Sequence, residues 1–270
     1  MTATVADLVD ALHRRYPPAL AEGWDAVGLV CGDPRDGVEH VLLAVDPVAE
    51  VVDEAIEVGA QLVVTHHPLL LRGVHGVAAV DAKGSVVHRL VRAGIALVAA
   101  HTNADAADDG VSDALAARLG VVDLEPLDAA SGIGRVGVLA EATTLGGFAD
   151  LVAARLPATA HGVRIAGVLE APVRRVAVCG GAGDAFLAAA TAAGADVYVT
   201  SDLRHHRTSE HLADGGCALV DIAHWAGEQP WLATAAAALT ADLAARGDTV
   251  TCTVSTRCTD PWTSHRRSST

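Results

Sequence analysis

At 270 residues with a formal net charge of −14, the chain is long enough to bury roughly 70–75% of its unfolded surface. Its acidity repels phosphate backbones, which excludes nucleic acid as a primary partner. Apolar residues make up 51% and aromatics only 3%, so small aliphatic side chains must fill the core, as they do where helices lie on sheets.

No stretch approaches the ~20 apolar residues of a membrane span. The opening MTATVADLVDALHRRYP alternates apolar and charged residues and lacks the apolar core of a signal peptide. A soluble, cytoplasmic protein without a membrane role is expected. Five cysteines (Cys31, Cys179, Cys217, Cys252, Cys258) form no C-x-x-C pair and read as reduced thiols. The one lysine is Lys83, and the basic run His265-Arg266-Arg267 lies in a polar tail near 264–270 that is expected to be disordered.

Helical periodicity runs through Val5–Tyr16 and ends at Pro17-Pro18. Strand-like apolar runs then alternate with amphipathic stretches. His40–Val45 precedes a helix starting near Pro47, Gln61–Thr65 a helix near Ser85–Ala93, and Ile95–Ala100 a helix near Val111–Leu119. The middle segment reads as strand Gly134–Leu139 and helix Gly147–Leu156. Beyond it come strand Arg175–Cys179, helix Asp184–Ala193, strand Asp196–Thr200, helix His206–Ala213 and strand Cys217–Asp221. An alanine-rich helix over Pro230–Arg246 and a strand over Thr249–Val254 complete the series. Such alternation predicts an α/β protein with partly parallel sheets.

Two stretches repeat. Ala55–His67 (AIEVGAQLVVTHH) resembles Thr191–His206 (TAAGADVYVTSDLRHH), and Leu90–Asp105 resembles Leu212–Glu228. In each half a strand ending in Thr leads to a His-His pair, and a later strand leads to a His followed four residues on by an acid. The expectation is two pseudo-related α/β halves from duplication of a βαβ-type unit, over about 39–120 and 174–246. The division expected is a first half at 1–125, a connecting strand–helix segment at 126–173 belonging to the second half, and the second half at 174–270. The C-terminal helix and strand are expected to return to the first half.

Ligands in open α/β sheets bind beyond the carboxyl ends of strands. Four polar clusters sit at such ends: Thr65-His66-His67, His101–Asp105, Asp202–His206 and His224–Glu228. Imidazole suits zinc, iron and nickel. Each cluster also has an ordinary structural reading. The His-His pair can be a polar loop, and Asp105 can cap a helix or turn. His224 and Glu228 can form an ion pair, although in a helix their spacing puts both on one face, as in metal-binding helices. His205 and His206 can orient ligands and carry protons, or lie in a solvated turn. Taken together, the four clusters point to a site for divalent metal ions that draws imidazoles and carboxylates from both halves, a donor set that suits a pair of ions. Cys179-Gly-Gly-Ala-Gly-Asp184 reads as a tight turn for close packing, with phosphate binding as the alternative.

These residues resemble the Nif-three-like dinuclear metal-centre hexameric proteins, known in bacteria as GTP cyclohydrolase I type II homologs. The resemblance rests on Trp24-Asp25-Ala26-Val27-Gly28-Leu29, Thr65-His66-His67-Pro68, His101-Thr102-Asn103-Ala104-Asp105 and Gly180-Gly181-Ala182-Gly183. It continues through Asp202–His206 and His224–Glu228 and runs over nearly the whole chain. It implies the Nif-three-like fold, two divalent ions per chain held by residues matching His66, His67, Asp105, His224 and Glu228, and a homohexamer. It also implies the short form of the family, without an inserted central domain. Ala26 stands where Asn is common, and Ser201 where Gly is frequent. Neither matches a ligand, but Ala26 bears on substrate contacts.

The function expected is divalent-metal binding in service of a hydrolase. The ions would lower the pKa of a bound water towards about 7. His206 or His101 would move protons, and Arg72, Arg204 or Arg207 would meet a triphosphate. GTP enters through the family label alone. The alternatives are a non-catalytic metal-binding assembly or interaction protein, and a hydrolase of phosphoesters or cyclic amides. Ligands of the His/Asp/Glu type leave zinc, iron, manganese and nickel open.

Overall fold

The computed structural model describes residues 2–266. The described chain divides into two compact units, one comprising Met1–Asp108 and Leu232–Thr259, the other Asp109–Trp231 and Asp260–Thr270.

In the first unit a short strand β1 (Ala3–Thr4) leads into helix α1 (Val5–Arg15). Thr4 and Asp7 form a capping box that satisfies donors at the helix start. Strands β2 (Gly28–Cys31), β3 (Gly37–Val38) and β4 (His40–Ala44) follow, then α2 (Ala49–Glu57), β5 (Leu62–Thr65), α3 (Ala82–Ala93), β6 (Ala96–Ala99) and the short α4 (Thr102–Ala106). β4, β5 and β6 run parallel as neighbours, and β2 adds an antiparallel edge beside β6. β5 and β6 are buried along their whole length, as expected of strands covered on both faces. Leu42, Val63 and Leu97 pack there against Val51, Val52, Ala55, Val86, Val87 and Leu90 from α2 and α3.

The second unit opens with α5 (Val111–Leu119), β7 (Val121–Pro126), β8 (Arg135–Thr144), α6 (Leu145–Arg155), β9 (Val163–Ala166) and β10 (Pro172–Ala182). It continues with α7 (Leu187–Ala192), β11 (Val197–Ser201), α8 (His205–Ala213) and β12 (Ala218–Ile222). β10, β11 and β12 are parallel neighbours, β9 lies antiparallel beside β12, and β8 and β7 extend the sheet beyond β10. Phe148 and Val152 of α6 are fully buried against this sheet, beside Val176, Val178 and Val199. Each unit thus carries three successive parallel strands with an antiparallel strand next to the third, as expected of pseudo-related α/β halves.

Helix α9 (His224–Ala245) begins in the second unit and continues into the first, where β13 (Thr251–Val254) pairs parallel with β4. Among the described residues no helix is long and apolar enough to cross a membrane.

Several local expectations differ from the structure. The long helix begins at His224 rather than Pro230, with Pro230 inside it. Pro230 removes one intrahelical hydrogen bond and its ring crowds the carbonyl of Ala226, yet the helix continues through it, with Trp231 and Leu232 beside it fully buried. The expected helix over Asp184–Ala193 is a 3₁₀ turn at Asp184–Phe186 followed by α7. Strands β1, β2, β3, β7 and β9 lack the long apolar run that marks a central strand: they are short or lie at sheet edges. In the expected tail, Ser264–Arg266 form neither helix nor strand, and residues 267–270 lie outside the described residues.

Candidate metal-binding clusters

In the first unit the carboxyl ends of the parallel strands converge on one group of side chains. Thr65 ends β5, and the backbone N–H groups of His66 and His67 extend its ladder onto Ala44 O and Val45 O at 3.2 and 2.9 Å. The two rings leave the strand in different directions, tilted by 44° with centroids 5.1 Å apart. His101 follows β6, and its centroid lies 5.1 Å from that of His66 and 5.5 Å from that of His67. One ligand nitrogen from each of the three rings lies within 4.8 Å of the others, a spacing that could hold a metal ion. Asp105, one turn along α4, brings Oδ1 to 3.7 Å from His66 Nε2.

The outer nitrogen of every ring meets an acceptor. Nδ1 of His66 pairs with Ala100 O at 3.0 Å, that of His67 with Asp46 Oδ1 at 2.7 Å, and that of His101 with Asp25 Oδ1 at 2.8 Å. Carbonyl and carboxylate oxygens only accept, so Nδ1 carries the hydrogen and Nε2 of the neutral ring keeps its lone pair. His101 is held neutral: burial, reinforced by the neighbouring His66, lowers its pKa to about 4 against the opposing pull of Asp25. Burial would raise the Asp25 carboxyl, but hydrogen bonds from Thr102 and His101 overcome it and lower its pKa. Thr102 donates to Asp25 from its backbone N at 3.0 Å, and Asn103 accepts from His101 N at 2.9 Å and donates to Tyr16 O at 2.7 Å. The whole His101–Asp105 segment is therefore a braced turn.

The second unit has a comparable cluster at the ends of β10, β11 and β12. His224 and Glu228 lie one turn apart at the start of α9, with Nε2 2.9 Å from Oε1 and the Glu228 side chain 3% exposed. His224 Nδ1 pairs with Asp202 Oδ2 at 2.7 Å, and that bond is the main cause of the lowered Asp202 pKa. Asp202 sits just past β11 in a left-handed conformation, φ 58°. The buried Asp221 stabilises this turn by accepting from Leu203 N at 3.0 Å while holding His161 and Arg164 at 2.9 and 2.7 Å. Between two carboxylates, a protonated His224 donates from both ring nitrogens, whereas the neutral ring has a single N–H and leaves Nε2 for a cation.

The glycine-rich end of β10 closes against this pair. Gly181 adopts φ +69°, and a Cβ there would stand 2.6 Å from Glu228 Oε1 and 3.2 Å from His224 Nε2. A Cβ on Gly183 would stand 2.2 Å from Tyr198 Oη, so close packing accounts for that glycine. Arg204 and Arg207 face Asp184 at 3.1 and 3.8 Å. His206 lies on α8 with an exposed ring, 5.1 Å from that of His205, while Arg72 is exposed in the loop after β5.

The five expected ligands thus fall into two groups: His66, His67 and Asp105 in one unit, His224 and Glu228 in the other. Convergent imidazole nitrogens with adjacent carboxylates are a donor set that fits divalent ions. Among the supporting groups, sequence reasoning missed Asp46 and Asp25. Asp46 follows the strand His40–Val45, so its position at a strand end was the available signal. Asp25 lies in the Trp24–Leu29 motif but carries no strand-end mark.

A model of the Duf34/NIF3 (NGG1p interacting factor 3) family matches residues 3–261. The chain belongs to the Duf34/NIF3 family. A Streptomyces coelicolor relative, "GTP cyclohydrolase 1 type 2 homolog", is 49% identical over 97% of this chain and 94% of its own. A Mycobacterium bovis relative of the same name is 37% identical over 373 aligned positions, covering 97% of each chain. That alignment is longer than the 270 residues here, so the mycobacterial protein carries segments this NIF3-family chain lacks. Among solved structures, a Bacillus cereus protein related to NIF3 superposes with a TM-score of 0.90 at 26% identity, over 97% of this chain and 99% of that one. A hypothetical protein of Staphylococcus aureus superposes at 0.89 with 29% identity and the same coverage.

Proposed function

We propose that this NIF3-family chain is a cytoplasmic protein that binds two divalent metal ions through His66, His67, Asp105, His224 and Glu228, and that it acts as a metal-dependent hydrolase. The arrangement of the rings supports this most directly: each of His66, His67 and His224 has Nδ1 on an oxygen acceptor, and Nε2 of His66 and of His224 lies beside a carboxylate oxygen of Asp105 and Glu228 respectively. Partners of this kind fix the tautomer and aim of metal-binding histidines.

Divalent ions in such a site supply Lewis-acid polarisation and water of lowered pKa. The chain's own groups supply the rest. His101, whose Nδ1 is held by Asp25 Oδ1 at 2.8 Å, is the proton carrier proposed, with Nε2 as the exchanging atom. His206 on α8 is the second proton carrier proposed. The curated relatives' name suggests GTP as the first substrate to try, with opening of the purine imidazole ring as the reaction. We further propose a homohexamer, which multi-angle light scattering tests as a mass six times that of one chain.

The deciding experiment is elemental analysis of wild type beside His67→Ala and Glu228→Ala after loose metal is removed. Near two equivalents per chain in wild type, falling sharply in both variants, is the expected result. No metal in wild type, or no loss in the variants, overturns the ligand assignment. A panel of GTP, phosphoesters and cyclic amides then tests the hydrolase. Metal retained without turnover of any of them would make this a non-catalytic metal-binding protein.

A further inference from the structure

The segment after β13 leads to the support of His67. β13 runs parallel to β4 with Val254 opposite Leu43, so the chain leaves it at the same end of the sheet as Asp46, which follows β4. Three anchors hold this segment before it reaches Asp46. Ser255 N donates to Leu43 O at 2.8 Å, the Ser255 hydroxyl donates to the buried Glu54, and Arg257 meets Glu57 at 3.2 Å. At its end the half-buried Thr259 donates its hydroxyl to Asp46 Oδ2. The other oxygen of the same carboxylate, Oδ1, takes Nδ1–H of His67 at 2.7 Å.

We propose that Thr259 and Asp46 are positioning residues for His67, making the strap 255–259 part of the metal centre although it contributes no ligand. The inference rests on the proposed role of His67 as a ligand. A carboxylate can turn about its terminal torsion, and that torsion is broad and two-fold. Thr259 takes one oxygen and so fixes which way the other faces. Asp46 then holds His67 as the Nδ1–H tautomer, with the Nε2 lone pair presented. With Thr259 unable to donate, Asp46 is free to rotate and the ring loses its fixed tautomer.

The test compares wild type with Thr259→Val, Thr259→Ser and Asp46→Asn in the full chain. Zinc affinity is measured by chelator competition, and ring ¹⁵N shifts of His67 are measured in metal-free protein. Valine keeps the shape of threonine but replaces the hydroxyl, and with it the donor to Asp46, by a methyl group, and serine restores the donor. Loss of a group supporting a metal-bound histidine typically costs 10–100-fold in affinity. Thr259→Val is accordingly expected to weaken zinc about 10-fold and to mix the two His67 tautomers, with Asp46→Asn at least as severe. Thr259→Ser is expected to behave as wild type in both readouts. Wild-type zinc affinity and an unmixed Nδ1–H tautomer in Thr259→Val would overturn the strap. If wild type itself bound no zinc, the ligand reading would fail, while the ¹⁵N shifts would still decide whether the strap sets the tautomer. A Thr259→Val protein that lost its fold would leave Asp46→Asn and the metal-free shifts to decide.

Discussion

Gly181 shows how much a single residue can carry. Its positive φ would cost an L-residue roughly 1–2 kcal/mol, and a Cβ would stand 2.6 Å from Glu228 Oε1, on the side facing His224 Nε2. Gly181→Ala is therefore expected to lower stability by about that amount and to cut metal binding by at least about tenfold, the lower end for disturbed support of a ligand. Thermal melts and chelator competition on the purified variant read the two effects separately. A variant that melted lower yet bound metal normally would show that the glycine serves the turn and not the Glu228–His224 pair. Ser201, noted as a departure from the family pattern, is fully buried at the end of β11, next to the turn that carries Asp202. Nothing in the structure gives its hydroxyl a role.

At the scale of elements, α1 depends on its first turn. Thr4 accepts from Asp7 N at 3.3 Å, and the Asp7 carboxylate accepts from Thr4 N at 2.9 Å. Hydrogen bonds from Thr4, then from Arg246 beyond α9, hold the Asp7 carboxyl well below the usual carboxylate range. A depressed carboxylate stabilises the fold above its unfolded pKa of roughly 3.9, and that contribution disappears as pH falls through the folded value. Asp7→Asn is thus expected to destabilise the protein at pH 7 and to narrow the gap to wild type as the pH drops below about 4. Chemical denaturation at pH 7 and pH 3 measures this directly, and a gap that stayed constant or widened in acid would contradict it. Thr4→Ala should cost about 1 kcal/mol through the lost cap.

For the whole molecule, bound metal would act as a ligand of the native state. Protein holding an ion at a hundredfold excess over Kd gains about 2.7 kcal/mol. At roughly 2–4 °C per kcal/mol for a chain of this class, chelation is expected to lower Tm by about 5–10 °C, and adding zinc back should restore it. Equal melting with and without chelator would argue that no ion stabilises the folded protein. The same measurement on His67→Ala should show little response to chelator, which ties the effect to the proposed ligands.

The α/β alternation, the repeat and the histidine clusters were legible in the sequence because each is local. A buried parallel strand such as Leu62–Thr65 is a continuous apolar run, and His66 and His67 come immediately after it. The edge strands β7 and β9 were not legible, since a half-exposed strand bonded on one side needs no distinctive pattern. Nor could the sequence show that His224 starts a helix, because the proline six residues on argues for a later start and packing overrides it. The second layer of the site was hidden for a different reason. Asp25, Asp46 and Thr259 reach His101 and His67 across 76, 21 and, through Asp46, a further 213 positions of chain. By itself the sequence determined which residues stand at the strand ends. Only the tertiary structure decided which acceptor each imidazole meets, because a hydrogen bond depends on distance and direction, and chain order encodes neither.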